Sequence, residues 1–213
     1  AGAARVCPGG AGGANITGPA VADPMTGMMY VTSQSACGTA YLMAGAESPM
    51  DERLQTGTIR SDWARAMGGG RGGGSGRENI DGLSIWKGPV GRITAIDMNT
   101  GEHAWMIPNG DARQAQQDEI RNHPLLQGVP GVRTNRGRSG HSVMVVTPNL
   151  LFASGQTADD EWKLFALDKR TGERVGAVPI PGSTRYGLSS WVHEGKQYII
   201  IQLNSGLAAL ALP

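Results

Sequence analysis

The chain is short of the residues that several common chemistries require. It has two cysteines and four histidines, His103, His123, His141 and His193, in 213 residues. The histidines show no ligand spacing with each other or with a cysteine, so a zinc-type site has no candidate set. No nucleophile elbow or catalytic-triad pattern is present either. Charged residues make up 17% and the net charge is +1, which rules out a strong electrostatic case for nucleic acid or an anionic membrane surface. No apolar run approaches the ~20 residues of a spanning helix. There are two phenylalanines, and Ala, Leu, Glu and Lys do not recur at the 3.6-residue period that long helices would show. The first residue, Ala1, opens neither an initiator methionine nor a signal peptide, which suggests a processed or truncated product. What the chain has in quantity is glycine, 33 residues, with 12 prolines. Glycine at this density among short apolar runs suits strands joined by tight turns. A length of 213 residues is enough for one sizeable core.

A repeat settles the class. Ala95, Asp97, Thr100, Gly101 and Pro108 recur 71 residues later as Ala166, Asp168, Thr171, Gly172 and Pro179. Each copy is an apolar run, an Asp-x-x-Thr-Gly corner and a second apolar run, a β-hairpin signal in which glycine supplies a positive φ. Strands are expected at 17–22, 28–33, 91–97, 103–107, 142–146, 150–154, 163–168, 174–178, 186–192, 197–202 and 207–212. The order of strands and turns is that of four-stranded antiparallel propeller blades. The fold class is therefore all-β, a partial β-propeller forming a single domain over 1–213. Its blades are placed at about 13–108, 139–180 and 185–213. The last runs out after three strands. A blade lacking a strand normally borrows one from the other chain end, yet residues 1–14 are mostly Gly and Ala. Two and a fraction blades do not close a ring, so the chain is read as the C-terminal part of a larger propeller.

Two segments interrupt the blades. Residues 68–76 are eight-ninths glycine and serine around Arg71; they read as a mobile loop, because the spacing fits no phosphate-binding loop. Residues 111–138 form a long polar connection around Asn122-His123-Pro124-Leu125, read as a surface excursion with one helical turn.

Several motifs carry a resemblance to a known family. Residues 91–105 followed by Pro108-Asn109-Gly110-Asp111, the Asn122–Leu125 loop, and Gly195-Lys196-Gln197-Tyr198 resemble, in order, the C-terminal half of the pyrroloquinoline-quinone (PQQ)-dependent dehydrogenases. The resemblance implies an eight-bladed propeller, a periplasmic location with inner-membrane attachment left open, bound PQQ and a Ca²⁺ ion. It also implies oxidation of an alcohol or sugar, with electrons passed to ubiquinone or a cytochrome c. Cys7 and Cys37 resemble the family's disulfide partners, and Asn15, eight residues after Cys7, stands where the family's asparagine reaches the cofactor. On the residues alone Asn15 is better read as ending a Gly-rich turn; the resemblance makes cofactor contact the better reading. Ser139 and Arg185, at the other inner-strand mouths, are the further candidates for lining the cofactor pocket, although an arginine at a strand start is commonly a surface residue. By resemblance the catalytic aspartate and main Ca²⁺ carboxylate belong to the remaining N-terminal blades, so no catalytic residue is expected in this chain.

The departures are as informative. Ser139-Gly140-His141 stands where the alcohol dehydrogenases open an inner strand with a tryptophan. The Gly-rich loop that follows their Gly-Lys-Gln-Tyr strand is shortened to Asn204-Ser205-Gly206. Gly176 replaces Trp105 in the second copy of the repeat, and Trp105 itself is expected to pack between blades. A non-catalytic scaffold of the same repeat superfamily, binding a protein partner, is the alternative reading.

Overall fold

The structure, a computed structural model, describes residues 4–6, 13–14, 18–35, 38–42, 59–60, 79–84, 88–140 and 142–211. Cys7, Asn15, Cys37 and the 68–76 loop lie outside these residues. In chain order the strands are β1 (Ala4–Val6), β2 (Gly13–Ala14), β3 (Val21–Asp23), β4 (Met28–Gln34), β5 (Gly38–Leu42), β6 (Ile59–Arg60), β7 (Asn79–Ile80), β8 (Leu83–Ser84), β9 (Gly91–Asp97) and β10 (His103–Pro108). They continue as β11 (Met144–Val146), β12 (Leu150–Gln156), β13 (Trp162–Asp168), β14 (Arg174–Pro179), β15 (Thr184–His193), β16 (Lys196–Leu203) and β17 (Gly206–Ala211). The 111–138 excursion holds more than one helical turn: an eight-residue helix, α1 (Gln114–Arg121), and a short 3₁₀ turn at Pro124–Leu126.

The chain divides into two compact units. One comprises residues 1–13 and 35–87, the other 14–34 and 88–213. The first holds a β1-β5-β6 sheet and the β7-β8 hairpin. The second carries three antiparallel sheets. One runs β3-β4-β9-β10, with β2 also at its inner edge; the next runs β11-β12-β13-β14; the last is β15-β16-β17. The three leading strands are neighbours, with β11 in contact with both β3 and β15. Sheets that meet through their first strands are blades about an axis, the arrangement that the strand order led us to expect.

The middle sheet is buried on both faces, and the period of two shows how. Leu151 and Ala153 of β12 point to one side, where they pack with Tyr30, Ile93, Ala95, Phe165 and Leu167. Phe152 points to the other, against Leu164, Ile199, Ile201 and Leu203. Alternate residues of one strand thus serve two different cores. This explains why 151–153 reads as an unbroken apolar run instead of an alternation.

The repeated corners share a geometry down to the hydrogen bond. The Asp97 and Asp168 carboxylates accept from the backbone N–H of Asn99 and Arg170, both at 2.8 Å. Thr100 and Thr171 accept from Glu102 N–H and Glu173 N–H, both at 3.2 Å. Gly101 and Gly172 have φ of 77° and 76°. Each corner is followed by a register shift in its outer strand. Asp23–Gly27 is a third copy, placed between β3 and β4: Asp23 accepts from Met25 N–H and Thr26 Oγ1, and Gly27 has φ of 70°.

Trp105 packs between blades, as expected. Its ring lies 5.7 Å from that of Tyr30. Its indole N–H and the Tyr30 hydroxyl both donate to the Lys169 carbonyl, at 3.2 and 3.0 Å.

Candidate functional site

The sheet topology brings several strand ends together. β11 and β15 begin at the end where β12 finishes and β13 starts. Between them is a cleft of about 70 Å³, lined by Asn109, Arg138, Ser139, Gly140, Ser142, Ser154, Gly155, Gln156, Trp162 and Thr184. Its wall is a chain of small polar groups. Asn109 is buried and donates through Nδ2 to the Gly140 carbonyl at 3.2 Å. The Ser142 hydroxyl lies between Asn109 Oδ1 and the Ser154 carbonyl, a close contact with both. Ser154 Oγ accepts from Val143 N–H at 3.2 Å and lies 2.6 Å from Thr184 Oγ1. Polar groups this deep are retained at low cost only when each is partnered, and no buried side-chain N or O among the described residues lacks a hydrogen bond.

Glycine permits this crowding at one point in particular. A Cβ on Gly110, whose φ is +61°, would sit 2.6 Å from the Gln156 carbonyl oxygen. Any side chain there would push the Asn109–Asp111 segment off the end of β12.

Arg138 secures the approach to β11. Its Nε donates to the Asp111 carbonyl at 2.7 Å, one terminal nitrogen donates to the Thr157 carbonyl at 2.6 Å, and the other pairs with Asp160 at 2.7 Å. Its side chain is only 14% exposed, so three directed bonds compensate a guanidinium largely removed from water. Asp160 also takes Arg113, at 3.1 Å. Arg113, then Arg138, holds the Asp160 carboxyl below its ordinary value. Asp111 in turn receives Arg174 through both terminal nitrogens, at 3.0 and 3.2 Å, and Asn135 at 2.8 Å. The 111–138 excursion is therefore pinned to the β12–β13 turn and to β14.

Of the residues singled out from sequence, Ser139 lies exposed on the cleft rim. Arg185 is one residue beyond the lining Thr184; it is exposed, and its guanidinium stacks over Tyr186 at 4.8 Å. Asn15 and the Cys7–Cys37 pairing fall outside the described residues. Asn109, Arg138, Ser142, Ser154, Trp162 and Thr184 were not singled out from sequence. Only Asn109 had a local signal, in Pro108-Asn109-Gly110-Asp111; the others come together through blade packing. Among the described residues no cluster of His, Cys, Asp or Glu could hold a metal ion.

The family model for the PQQ glucose/ethanol/alcohol dehydrogenase β-propeller domain matches residues 2–199. The chain belongs to this family. A glycerol dehydrogenase large subunit from Gluconobacter thailandicus is 30% identical over 126 residues, 58% of this chain and 16% of that protein. A probable quinate dehydrogenase (quinone) from Xanthomonas campestris pv. juglandis is 28% identical over 116 residues, 53% of this chain and 13% of that protein. The chain thus spans under a fifth of the length of these curated relatives. The crystal structure of the quinohemoprotein alcohol dehydrogenase from Comamonas testosteroni shares the fold, with a TM-score of 0.55 at 16% identity, over 97% of this chain and 24% of that one. This PQQ-dehydrogenase region is accordingly all-β, with propeller sheets like those of its relatives.

The cleft bears on how such a region could meet a quinone cofactor. The cleft is open to solvent along one side, so a three-ring quinone would meet it on one face only. The lining residues could meet such a group only as one wall, with hydroxyl donors at Ser139 and Thr184; Arg185 is not among them.

Proposed function

We propose that this chain is the C-terminal part of a PQQ-dependent dehydrogenase that oxidises an alcohol or sugar in the periplasm. The family match over residues 2–199 carries the reading. Electrons leave to ubiquinone or a cytochrome c. The cofactor supplies the two-electron acceptor, with Ca²⁺ bound beside it through residues mostly outside this chain. The chain's own part is positional. Ser139 and Arg185, with Asn15, face the cofactor from the inner-strand mouths. Arg138 holds the approach to β11 in place, and the buried Asn109–Ser142 contact keeps water from competing for the strand ends. A paired Cys7 and Cys37 ties the Asn15 segment down; closing that loop would stabilise the fold by roughly 3–4 kcal/mol.

The test uses the full-length protein, reconstituted with PQQ and Ca²⁺ and assayed with glycerol, ethanol and glucose against an artificial electron acceptor. Oxidation that requires PQQ supports the reading. Saturating PQQ with Ca²⁺ but no oxidation of any of the three, and no change in cofactor fluorescence, overturns it in favour of a scaffold. The 213-residue chain alone is expected to bind PQQ weakly or not at all in the same fluorescence titration.

A further inference from the structure

We propose that the first residues of β15 form a two-position latch on the cleft, closed as seen here and open when the strand slides by two residues. The latch follows from strand pairing and is independent of the reaction proposed above. Leu188 lies opposite Ile201, and Thr184 lies opposite Leu203. Arg185, Tyr186 and Gly187 therefore face Gln202 alone, a bulge with two residues to spare. The spare length is held under strain. Tyr186 has φ of 72°, a left-handed conformation that a bulky side chain adopts only when its surroundings impose it. The ties that impose it lie just upstream. Thr184 Oγ1 is 2.6 Å from Ser154 Oγ, Asn204 N–H donates to the Ser183 carbonyl at 3.0 Å, and Asn204 Nδ2 donates to Ser183 Oγ at 2.6 Å.

A regular ladder continued from the Leu188–Ile201 pair would instead set Tyr186 opposite Leu203. A slide of one residue would turn every side chain to the wrong face, but a slide of two keeps each on its own. The Tyr186 ring, 51% exposed in the bulge, would then join Leu188, Ile201 and Leu203 on the face that packs against Phe152 and Leu164. The two spare residues pass into the connection after Ile180, whose N–H is fixed to the Trp162 carbonyl. Gly182, within that connection, has open space around it. Each position has its own compensation: three hydrogen bonds against strain in one, a continuous ladder and a covered ring in the other. Thr184 lines the cleft, so the slide takes its hydroxyl off Ser154 and opens that wall.

The test uses the full-length protein and two readouts. Asn204 N–H meets the Ser183 carbonyl only in the closed position, so its hydrogen exchange, read by fragmentation mass spectrometry, reports opening. Tyr186→Gly removes the strain and should slow that exchange about tenfold. Thr184→Val removes a tie and should speed it about five- to tenfold. Paired cysteines then tell sliding from fraying, because residues directly opposite in an antiparallel pair come within disulfide reach. Thr184→Cys with Leu203→Cys should cross-link rapidly under mild oxidation. Tyr186→Cys with Leu203→Cys should cross-link more slowly but to completion. The proposal is overturned if the second pair stays unlinked where the first one links, since the strand end then only frays. It is equally overturned if the first pair fails to link, or if exchange in Tyr186→Gly is no slower than in wild type.

Discussion

Lys169 Nζ lies 2.5 Å from Asp23 Oδ2, and the two side chains are only 10% and 5% exposed. They come from neighbouring sheets: Asp23 ends β3, and Lys169 sits in the corner between β13 and β14. The ammonium also donates to the Thr147 carbonyl at 3.4 Å, while Asp23 is bonded by Met25 N–H and Thr26 Oγ1. The pair is thus a buried tie between blades with its remaining hydrogen bonds supplied. Removing one partner strands the other charge, at a typical cost of about 3–5 kcal/mol. Lys169→Ala should destabilise the protein by that amount in urea titration. Lys169→Met combined with Asp23→Leu should recover most of it, because the buried charge is gone from both sides.

The same pair sets an acid limit. The hydrogen bond from Lys169 is the main cause that holds the Asp23 carboxyl below its ordinary value of 3.8, against the opposing effect of burial. A lowered folded-state value contributes stability above about pH 4, which is lost as pH falls through the folded value. Asp23→Asn, which leaves Lys169 unpaired, should be much less stable than wild type at pH 7. The gap between the two should narrow steadily below pH 4 when unfolding is followed by circular dichroism.

Tyr30 sets an alkaline limit by the opposite sign. Burial first, and then the charges of Asp23 and Asp168, push its hydroxyl up from 10.0 to about 12. Its contribution is complete below pH 10 and disappears as pH rises through 12, a change of roughly 3 kcal/mol for two units. Tyr30→Phe loses the bond to the Lys169 carbonyl, about 1 kcal/mol, and should be the less stable form at pH 8. At pH 12 the order should reverse, with the phenylalanine variant more resistant to urea.

The blades were legible in the sequence because their signals are local. Asp97 and Asp168 each bond the backbone two residues on, and Gly101 and Gly172 each need a positive φ, so the corners were visible in eleven-residue windows. The strands flanking them followed at nearly their observed limits. The third corner, Asp23–Gly27, carries the same five-residue pattern but joins β3 to β4 instead of the outer strands, so it falls outside the 71-residue offset that reveals the other two. The site was far less legible. Ser139 was reached through its place at a strand mouth, whereas Ser154 and Thr184 are 30 residues apart and meet only when two sheets pack. Arg138 looked like one more arginine in a polar loop, and its three acceptors come from positions 111, 157 and 160. Nothing in a one-dimensional pattern distinguishes it from Arg136, two residues before.

Arg113 and Arg138 share Asp160 but should not matter equally. Arg113 is 60% exposed and Asp160 is 50% exposed, so their pair is solvated and contributes at most about 1 kcal/mol. Arg113→Ala should change stability by no more than about 1 kcal/mol and little in hydrogen exchange. Arg138→Ala strips bonds from the Asp111 and Thr157 carbonyls and should cost about 2–3 kcal/mol. It should also raise backbone exchange through 109–113 and 135–140, while Arg138→Lys, lacking the planar fork, should restore only part of the protection.

Two glycines with the same conformation separate backbone strain from blade docking. Gly101 and Gly172 occupy equivalent corners with φ of 77° and 76°, so alanine at either pays about 1–2 kcal/mol for the left-handed backbone. Their surroundings differ. A Cβ at Gly101 meets nothing within 4 Å, whereas one at Gly172 would lie 2.8 Å from Trp105 Cε3 and 3.0 Å from Ile107 Cγ2. The indole cannot retreat without giving up its bond to the Lys169 carbonyl and its packing on Tyr30. Overpacking of this kind typically adds about 1–3 kcal/mol. Gly172→Ala should therefore be more destabilising than Gly101→Ala by that margin in urea unfolding. In a Trp105→Leu background, where the ring is gone, most of that margin should disappear, leaving only what the Ile107 Cγ2 contact at 3.0 Å adds. Equal effects of the two alanines in the wild-type background would mean that the Trp105–Gly172 contact does not hold the two sheets together.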